Sequence, residues 1–202
     1  MPQDRKFCHI QPKLTKNRSK VLIAAGGNLT SQKGTPAQTI VEATKIVSNE
    51  RIKVLGISRF FKTPCFPQGA GPDYVNVALI AETGLSASEM LAALHTVEAE
   101  FGRQRDKRWG MRTLDLDLLS FDAVVAPDLD TVEDWINLPL DAQVRQTPDT
   151  MLLPHPRIQD RAFVLVPLMD VAPDWVHPVL QRSVREMHDA LPLEARQAVI
   201  PL

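Results

Sequence analysis

Apolar and polar residues follow two different periods along the first 120 residues, and these periods predict strands and helices. A short apolar run, Val21 to Ala25, ends in Gly26-Gly27-Asn28 and predicts a buried strand followed by a tight turn. Apolar residues at helical spacing predict a helix from Pro36 to Val47, where the proline suits the first turn. Two more strands are predicted at 52–61 and 74–82, with a loop rich in proline and glycine between them.

A capping box and a second stretch of helical spacing predict another helix. Ser86 and Glu89 have the capping-box spacing, and apolar residues three and four positions apart follow them. Gly102 then suits the C-terminal end of that helix. Leucine and aspartate alternate from Leu114 to Leu118, which predicts a half-buried strand. The order strand, helix, strand, strand, helix, strand is that of an α+β fold of the ferredoxin-like class, a βαββαβ sandwich.

Charge is distributed unevenly, and this sets the predicted domain limits. Residues 1–20 carry six Lys/Arg and one acid, which predicts a basic, disordered N-terminal tail rather than a nucleic-acid-binding arm. Seven acids and only one basic residue lie between 122 and 149, which predicts an acidic surface excursion. Helical spacing at 161–171 and 183–191 then predicts a C-terminal helical extension. We therefore expect one domain over residues 21–202, with an insertion at 122–152.

The overall composition is that of an ordinary globular protein. The chain has 202 residues, 44% hydrophobic content and a formal net charge of −1. No apolar run approaches the roughly 20 residues of a membrane span, and the N-terminus lacks the apolar core of a signal peptide. Two cysteines, Cys8 and Cys65, do not suggest a disulfide framework or a zinc cluster. The expected location is the cytoplasm.

The segment from Gly102 to Leu119 contains the strongest chemical signal. Asp115 and Asp117 project from the same face of the predicted strand, with Cβ atoms roughly 6.6 Å apart. Five cationic side chains come just before them: Arg103, Arg105, Lys107, Arg108 and Arg112. Either feature alone is more often a solvated surface. Their adjacency, with Trp109 as a stacking plate among the arginines, favours a phosphoryl-transfer site where the acids bind Mg²⁺ and the guanidinium groups bind phosphate.

Three motifs in order make a family resemblance specific. They are Thr63-Pro64 with Pro-Asp-Tyr-x-Asn at 72–76, Arg-Trp-Gly-x-Arg-Thr-Leu-Asp-Leu-Asp at 108–117, and Leu-Pro-His-Pro-Arg at 153–157. Together the motifs resemble the 6-hydroxymethyl-7,8-dihydropterin pyrophosphokinase family over roughly residues 21–173, excluding the acidic insertion. The resemblance implies a ferredoxin-like fold. It also implies transfer of diphosphate from ATP to the hydroxymethyl group of the reduced pterin, with release of AMP, in folate biosynthesis.

The resemblance also implies roles for individual residues. Asp115 and Asp117 would hold two Mg²⁺ ions, and with Arg103 and Arg112 they form the expected catalytic set. The residues expected to bind the pterin are Thr63, Pro64, Phe66, Tyr74, Asn76, Trp109 and Phe163. The residues expected to bind ATP are His95, Glu98, Arg105, Trp109, Arg112, His155 and Arg161. Without the resemblance, Tyr74 and Phe163 would be read as core residues, His155 as a surface histidine, and His95 with Glu98 as a solvated helix face.

The chain also departs from the family pattern. Gly26-Gly27-Asn28 stands where the family usually has Gly-Ser-Asn, His95 where glutamine is common, and Pro156 where many relatives have an aromatic residue. Cys65 and Phe66 replace a more usual Pro-Leu, and the 122–152 insertion is longer than usual.

Two other function classes remain open at this stage. An RNA-binding module on a ferredoxin-like sheet is disfavoured because two acids lie on a central strand. A catalytically weakened relative that binds pterin for regulation is disfavoured because Arg112, Asp115, Asp117 and His155 are all present. We expect small-molecule substrates only, no nucleic acid, no membrane association, and a monomer.

Overall fold

An antiparallel β-sheet with helices against both faces organises the computed structural model, which describes residues 18–65, 69, 71–102, 111–139, 142 and 145–202. The strands are β1 (Ser19–Gly27), β2 (Ile52–Ile57), β3 (Phe61–Thr63), β4 (Tyr74–Thr83), β5 (Asp115–Phe121) and β6 (Ile200–Pro201). The principal helices are α1 (Pro36–Val47), α2 (Ala87–Glu100), α3 (Leu129–Asn137), α4 (Ala162–Val171), α5 (Val184–Ala190) and α6 (Leu193–Gln197). The mixed α+β architecture predicted from the sequence is confirmed.

The strand order among the described residues is β5-β1-β4-β3-β6, and β2 also pairs with β4. All of these pairs are antiparallel. In the pairing of β1 with β5, Gly26 lies opposite Asp115 and Ala24 lies opposite Asp117. The register therefore places the two aspartates beside the glycine end of β1.

Helices α1 and α2 begin where the sequence predicted. Thr35 caps α1 through a capping box with Gln38, and Pro36 occupies the first turn. Ser86 accepts a hydrogen bond from the Glu89 backbone N–H, and the Glu89 side chain bonds back to Ser86, which completes the second box. Gly102 has a φ of +76°, the left-handed conformation that suits a glycine after a helix.

The predicted strand at 52–61 is two strands in the structure. The Ser58 hydroxyl accepts a hydrogen bond from the Ala78 N–H at 2.9 Å, and the Asp170 carboxylate accepts one from the Arg59 N–H at 3.0 Å. Here backbone N–H groups donate to side-chain oxygens instead of to carbonyl groups of a neighbouring strand. Regular β-pairing is therefore interrupted between residues 58 and 60, and the extended segment divides into β2 and β3.

Other boundaries also differ from the sequence prediction. β1 begins at Ser19, so residues 19 and 20 belong to the sheet rather than to the predicted tail, while residues 1–17 lie outside the described part. The predicted C-terminal helices correspond to α4 and α5, but α6 and β6 were not predicted. β6 pairs with β3, which adds a strand that local periodicity does not reveal because it has only two residues. Residues 122–152, which the sequence predicts to be an insertion, contain α3, which was also not predicted.

Two apolar clusters divide the core between the faces of the sheet. One cluster joins α1 and α2 to inward-facing residues that include Ile23, Leu79 and Leu116. The other joins α4 and α5 to the opposite face, through residues that include Leu22 and Ala78. Within the described ranges, no helix is both long enough and apolar enough to cross a membrane.

Candidate active site

A cavity of about 400 Å³ lies on the face of the sheet that carries α4. β1 contributes Ala24, Ala25 and Gly26 to its lining. β3, β4, β5 and the segment leading into α4 supply the polar and aromatic side chains around them. The cavity therefore collects residues from positions that are far apart in the sequence.

Asp115 and Asp117 both line this cavity, as the alternation in the sequence predicted. Leu116 and Leu118, between and after them, are buried in the cluster against the opposite face. The Asp115 carboxylate forms an ion pair with Arg112, and Arg161 Nη1 lies 3.9 Å from Asp117 Oδ2. Each carboxylate therefore has a guanidinium group beside it within the cavity.

The turn at Gly26-Gly27-Asn28 fixes the start of β5. The Arg112 carbonyl oxygen accepts hydrogen bonds from the N–H groups of Asn28 and Leu29, and the Asn28 side-chain oxygen accepts one from the Arg112 N–H. A Cβ atom on Gly27 would lie 2.5 Å from the Thr113 carbonyl oxygen. Glycine at position 27 therefore permits this close contact between two backbone segments.

One end of the cavity combines aromatic and amide groups. Tyr74, Asn76 and Phe163 line it together with Thr63 and Pro64. The buried Asn76 side-chain N–H donates to Thr63 Oγ1 at 2.7 Å, so the amide has a fixed orientation. Burial raises the pKa of the Tyr74 hydroxyl. Phe163 is 40% exposed, which is too open for a core aromatic and leaves a ring face available to a flat ligand.

His155 is a neutral hydrogen-bond donor in this cavity. Its Nδ1 accepts a hydrogen bond from the Arg157 backbone N–H at 3.1 Å, which assigns the remaining proton to Nε2. Burial and, to a lesser extent, the nearby charge of Arg161 together lower the pKa of His155 to about 3. The imidazole can therefore donate through Nε2 without carrying a charge at neutral pH.

Two arginines beside His155 add positive charge. Burial lowers the pKa of Arg161, while Asp117 opposes this effect. Its guanidinium carbon lies 5.6 Å from the centre of the Phe163 ring, within cation–π range. Arg157 also lines the cavity, and its Nε lies 3.0 Å from Asp160 Oδ2. Arg157 belongs to the Leu-Pro-His-Pro-Arg motif but was not predicted as a site residue.

The structure does not bring His95 and Glu98 to this cavity. Both lie on α2, which packs against the opposite face of the sheet. The Glu98 carboxylate is buried and accepts a hydrogen bond from the Leu116 N–H at 2.7 Å. Glu98 thus supports β5 from behind. Neither residue lines the described cavity, and their expected contact with ATP stays a prediction.

Four expected site residues lie outside the described part of the chain: Phe66, Arg103, Arg105 and Trp109. Three other lining residues come from the acidic segment 122–152, namely Trp135, Pro148 and Leu152. These three residues were not predicted as site residues, because neither their spacing nor a motif connects them with the carboxylates.

The carboxylate pair fits a magnesium site in its donor chemistry. Mg²⁺ prefers oxygen ligands and usually keeps several waters and substrate phosphates in its shell, so one or two carboxylates suffice. Within the described ranges, no group of three or more His, Cys, Asp or Glu side chains is positioned to bind a metal. Asp115 and Asp117 therefore match an ion shared with a phosphate ligand better than an ion held by the protein alone.

Comparisons with known proteins agree with this arrangement. A model of the 7,8-dihydro-6-hydroxymethylpterin-pyrophosphokinase (HPPK) family matches residues 22–173. A 2-amino-4-hydroxy-6-hydroxymethyldihydropteridine pyrophosphokinase of Haemophilus influenzae is 34% identical over 147 residues, which cover 72% of this chain and 76% of the relative. The enzyme of that name from Pseudomonas aeruginosa is 33% identical over 148 residues, or 73% and 77% of the two chains.

Solved structures show the same fold at low sequence identity. The wild-type HPPK-DHPS crystal structure of Plasmodium falciparum aligns with a TM-score of 0.58 and 14% identity. The alignment covers 86% of this chain and 44% of that one, so the present chain spans less than half of the larger protein. Taken with the matches above, these results show that the chain belongs to the HPPK family.

Proposed function

We propose that this protein transfers the diphosphate group of ATP to the hydroxymethyl group of 6-hydroxymethyl-7,8-dihydropterin, releasing AMP, as a step in folate biosynthesis. The observation that supports this most directly is the shared cavity. It places an aromatic and amide end next to paired carboxylates and arginines. A flat heterocycle and a polyphosphate can therefore occupy one site side by side.

We assign the fold to the ferredoxin-like class. The element order through β5 and the antiparallel order β5-β1-β4, with β2 and β3 both on β4, support this assignment. Residues 122–152 are an insertion between the strand that carries the carboxylates and the segment that carries His155.

The pterin is proposed to bind between Tyr74 and Phe163. Asn76 and Thr63 supply hydrogen-bonding groups for the polar edge of the ring, and their mutual hydrogen bond orients the amide in advance. Because β4 and β5 are separated only by β1, a hydroxymethyl group at this end can approach the carboxylates. We also propose Phe66 and Trp109 as pterin contacts on the strength of the family resemblance.

The carboxylates and arginines are proposed to bind the triphosphate together. Two Mg²⁺ ions on Asp115 and Asp117 would neutralise the charge that accumulates on the phosphates during transfer. Once the carboxylates interact with metal, Arg112 and Arg161 can turn their guanidinium groups to phosphate oxygens. His155 can donate Nε2–H to a phosphate oxygen, and Arg103 and Arg105 are proposed as further cationic contacts.

The test is AMP release from ATP and Mg²⁺, measured with and without 6-hydroxymethyl-7,8-dihydropterin. We expect AMP formation that depends on the pterin. Formation of ADP would indicate transfer of a single phosphoryl group and refute the proposed reaction. Pterin binding without turnover would favour the catalytically weakened relative. Monomeric state and cytoplasmic location remain predictions, for which size-exclusion chromatography with light scattering and cell fractionation are the measurements.

A further inference from the structure

We propose that Trp135, carried by the acidic insertion, forms one wall of the subsite for the purine base of ATP. This inference rests on ATP being the donor substrate, but it does not depend on which residues bind the pterin. Trp135 lines the same cavity as Asp115, Asp117 and His155, although it lies on α3, outside the motifs that identify the family.

The insertion is anchored at its base and along α3. Ala126 and Leu153 exchange two backbone hydrogen bonds, of 2.8 and 3.0 Å, which bring the two ends of the insertion together. Asp128 caps α3 by accepting a hydrogen bond from the Thr131 N–H at 2.8 Å. Val132 is fully buried, so it packs the helix against the rest of the protein. The backbone bridge, the helix cap and the buried Val132 therefore hold Trp135 in its position.

The orientation of α3 separates its aromatic side chain from its acids. Trp135 follows the buried Val132 by three residues, so both lie on one side of the helix. Asp130, Glu133 and Asp134 are exposed to solvent. The cavity thus meets an indole from this helix, and the negative charges of the insertion face solvent.

Trp135 has apolar neighbours in the cavity wall. Pro148 and Leu152, both from the later part of the insertion, line the cavity with it. An indole beside two apolar side chains provides a flat surface on which a heterocyclic base can stack. These groups provide no charge for phosphate, so a base suits them better than another part of the nucleotide.

The strand order separates this wall from the aromatic pair at the other end. Tyr74 is on β4, the carboxylates are on β5, and β5 terminates the strand order of the described residues on that side. Adjacent strands are about 4.8 Å apart, so β4 and β5 are about 10 Å apart. The His155 N–H donates to the Leu119 carbonyl oxygen of β5 at 2.8 Å, so the chain that follows Leu152 runs beside β5, and we infer that the cavity continues from the aromatic pair, past the carboxylates, to the insertion. A donor whose phosphates lie at the carboxylates would extend its base toward Trp135.

The test compares a nucleotide with a polyphosphate that has no nucleoside. Isothermal titration calorimetry with Mg²⁺ would measure the Kd of α,β-methylene-ATP and of inorganic tripolyphosphate for the wild type, Trp135→Ala and Trp135→Phe. We expect Trp135→Ala to raise the Kd of α,β-methylene-ATP about 10-fold. This corresponds to a loss of about 1.4 kcal/mol of binding free energy, within the range for base–aromatic stacking. Tripolyphosphate binding should change less than twofold, and Trp135→Phe should restore most of the nucleotide affinity.

Trp175→Phe is the matched control, because Trp175 packs edge-on against His177 with ring centres 5.6 Å apart and does not line the cavity. Unchanged nucleotide affinity in Trp135→Ala would overturn the proposal. Equal losses for both ligands would also overturn it, since they would show that Trp135 supports the phosphate site structurally. A selective loss of pterin affinity would place the indole at the other substrate.

A second measurement keeps the indole of Trp135 in place and tests the proposal even if Trp135→Ala does not fold. In protein labelled with 5-fluorotryptophan, the ¹⁹F resonance of Trp135 can be assigned through Trp135→Phe. α,β-Methylene-ATP should shift this resonance and tripolyphosphate should not. Absence of any nucleotide-specific shift would refute the assignment. Pterin-dependent AMP release by the wild type tests the overall reaction independently of either result.

Discussion

Replacing Asp117 by asparagine should have opposite effects on ATP binding without Mg²⁺ and on turnover with Mg²⁺. The substitution keeps the size of the side chain and removes one negative charge from the cavity. Without Mg²⁺, Asp117 repels the triphosphate and competes with it for Arg161. With Mg²⁺, the same carboxylate is a proposed metal ligand. The two conditions therefore separate the electrostatic role of Asp117 from its metal-binding role.

The magnitude follows from the geometry of the pair. Arg161 Nη1 and Asp117 Oδ2 are 3.9 Å apart, and the Asp117 side chain is 37% exposed. Two unit charges at about 4 Å interact by about 1 kcal/mol in water and by about 4 kcal/mol at an effective dielectric constant of 20. Exposure favours the lower value. We expect a gain of about 1 kcal/mol, or roughly fivefold tighter metal-free ATP binding.

The assay combines calorimetry and product analysis. ATP binding is measured in EDTA by calorimetry, and AMP formation in Mg²⁺ and pterin is measured by chromatography. Loss of a group that stabilises transition-state charge should lower turnover by at least about 100-fold. Asp134→Asn provides the same charge change on an exposed helix position outside the cavity lining and should alter neither quantity. Near-normal turnover in Asp117→Asn would refute the metal assignment, and weaker metal-free ATP binding would refute the electrostatic reasoning.

Three further predictions concern the pterin end and the core. Gly26→Ala should raise the pterin Kd more than the ATP Kd in calorimetry, because the added Cβ would lie 2.5 Å from the Asn76 side-chain oxygen. Phe163→Ala should weaken pterin binding about 10-fold, because a stacking contact is lost. It should lower the melting temperature only slightly, because the ring is 40% exposed. Burial lowers the pKa of His177 to about 4 in the folded protein. As pH falls, this histidine therefore takes up a proton in the unfolded chain before it does so in the folded protein. The share of His177 in the free energy of unfolding should therefore be a loss of about 3 kcal/mol as pH decreases from above 6.5 to below 4, measured by urea titration as the difference between the wild type and His177→Asn.

Each of these predictions has a contrary result. Equal losses of pterin and ATP affinity in Gly26→Ala would mean that the β1 turn supports the entire cavity. A large loss of melting temperature in Phe163→Ala would make that ring a core residue. For His177, the pH dependence should be smaller in His177→Asn, whose side-chain oxygen can replace Nδ1 as acceptor for the backbone N–H groups of Val179 and Leu180. An identical pH dependence in both proteins would exclude this histidine as its source.

Local sequence signals predicted the elements that have strong local causes. The capping boxes at Thr35 and Ser86, the glycine after α2 and the alternating leucines of β5 each act within a few residues, so the pattern and the structure agree. Prediction failed where a tertiary partner decides the conformation. The interruption between β2 and β3 depends on Asp170, which lies 111 residues after Arg59 in the chain.

The candidate site shows the same division. Local sequence was enough to predict that Asp115 and Asp117 share a face and that the cationic and His-Pro motifs are those of a phosphoryl-transfer family, because strand periodicity and motif chemistry depend on consecutive residues. The face of the sheet that forms the cavity became known from the folded structure. The folded structure also puts Glu98 behind β5 and Trp135 at the cavity wall. Local spacing could not predict these positions, because the packing of helices on a sheet and the folding of the 122–152 segment depend on contacts between residues that are distant in the sequence.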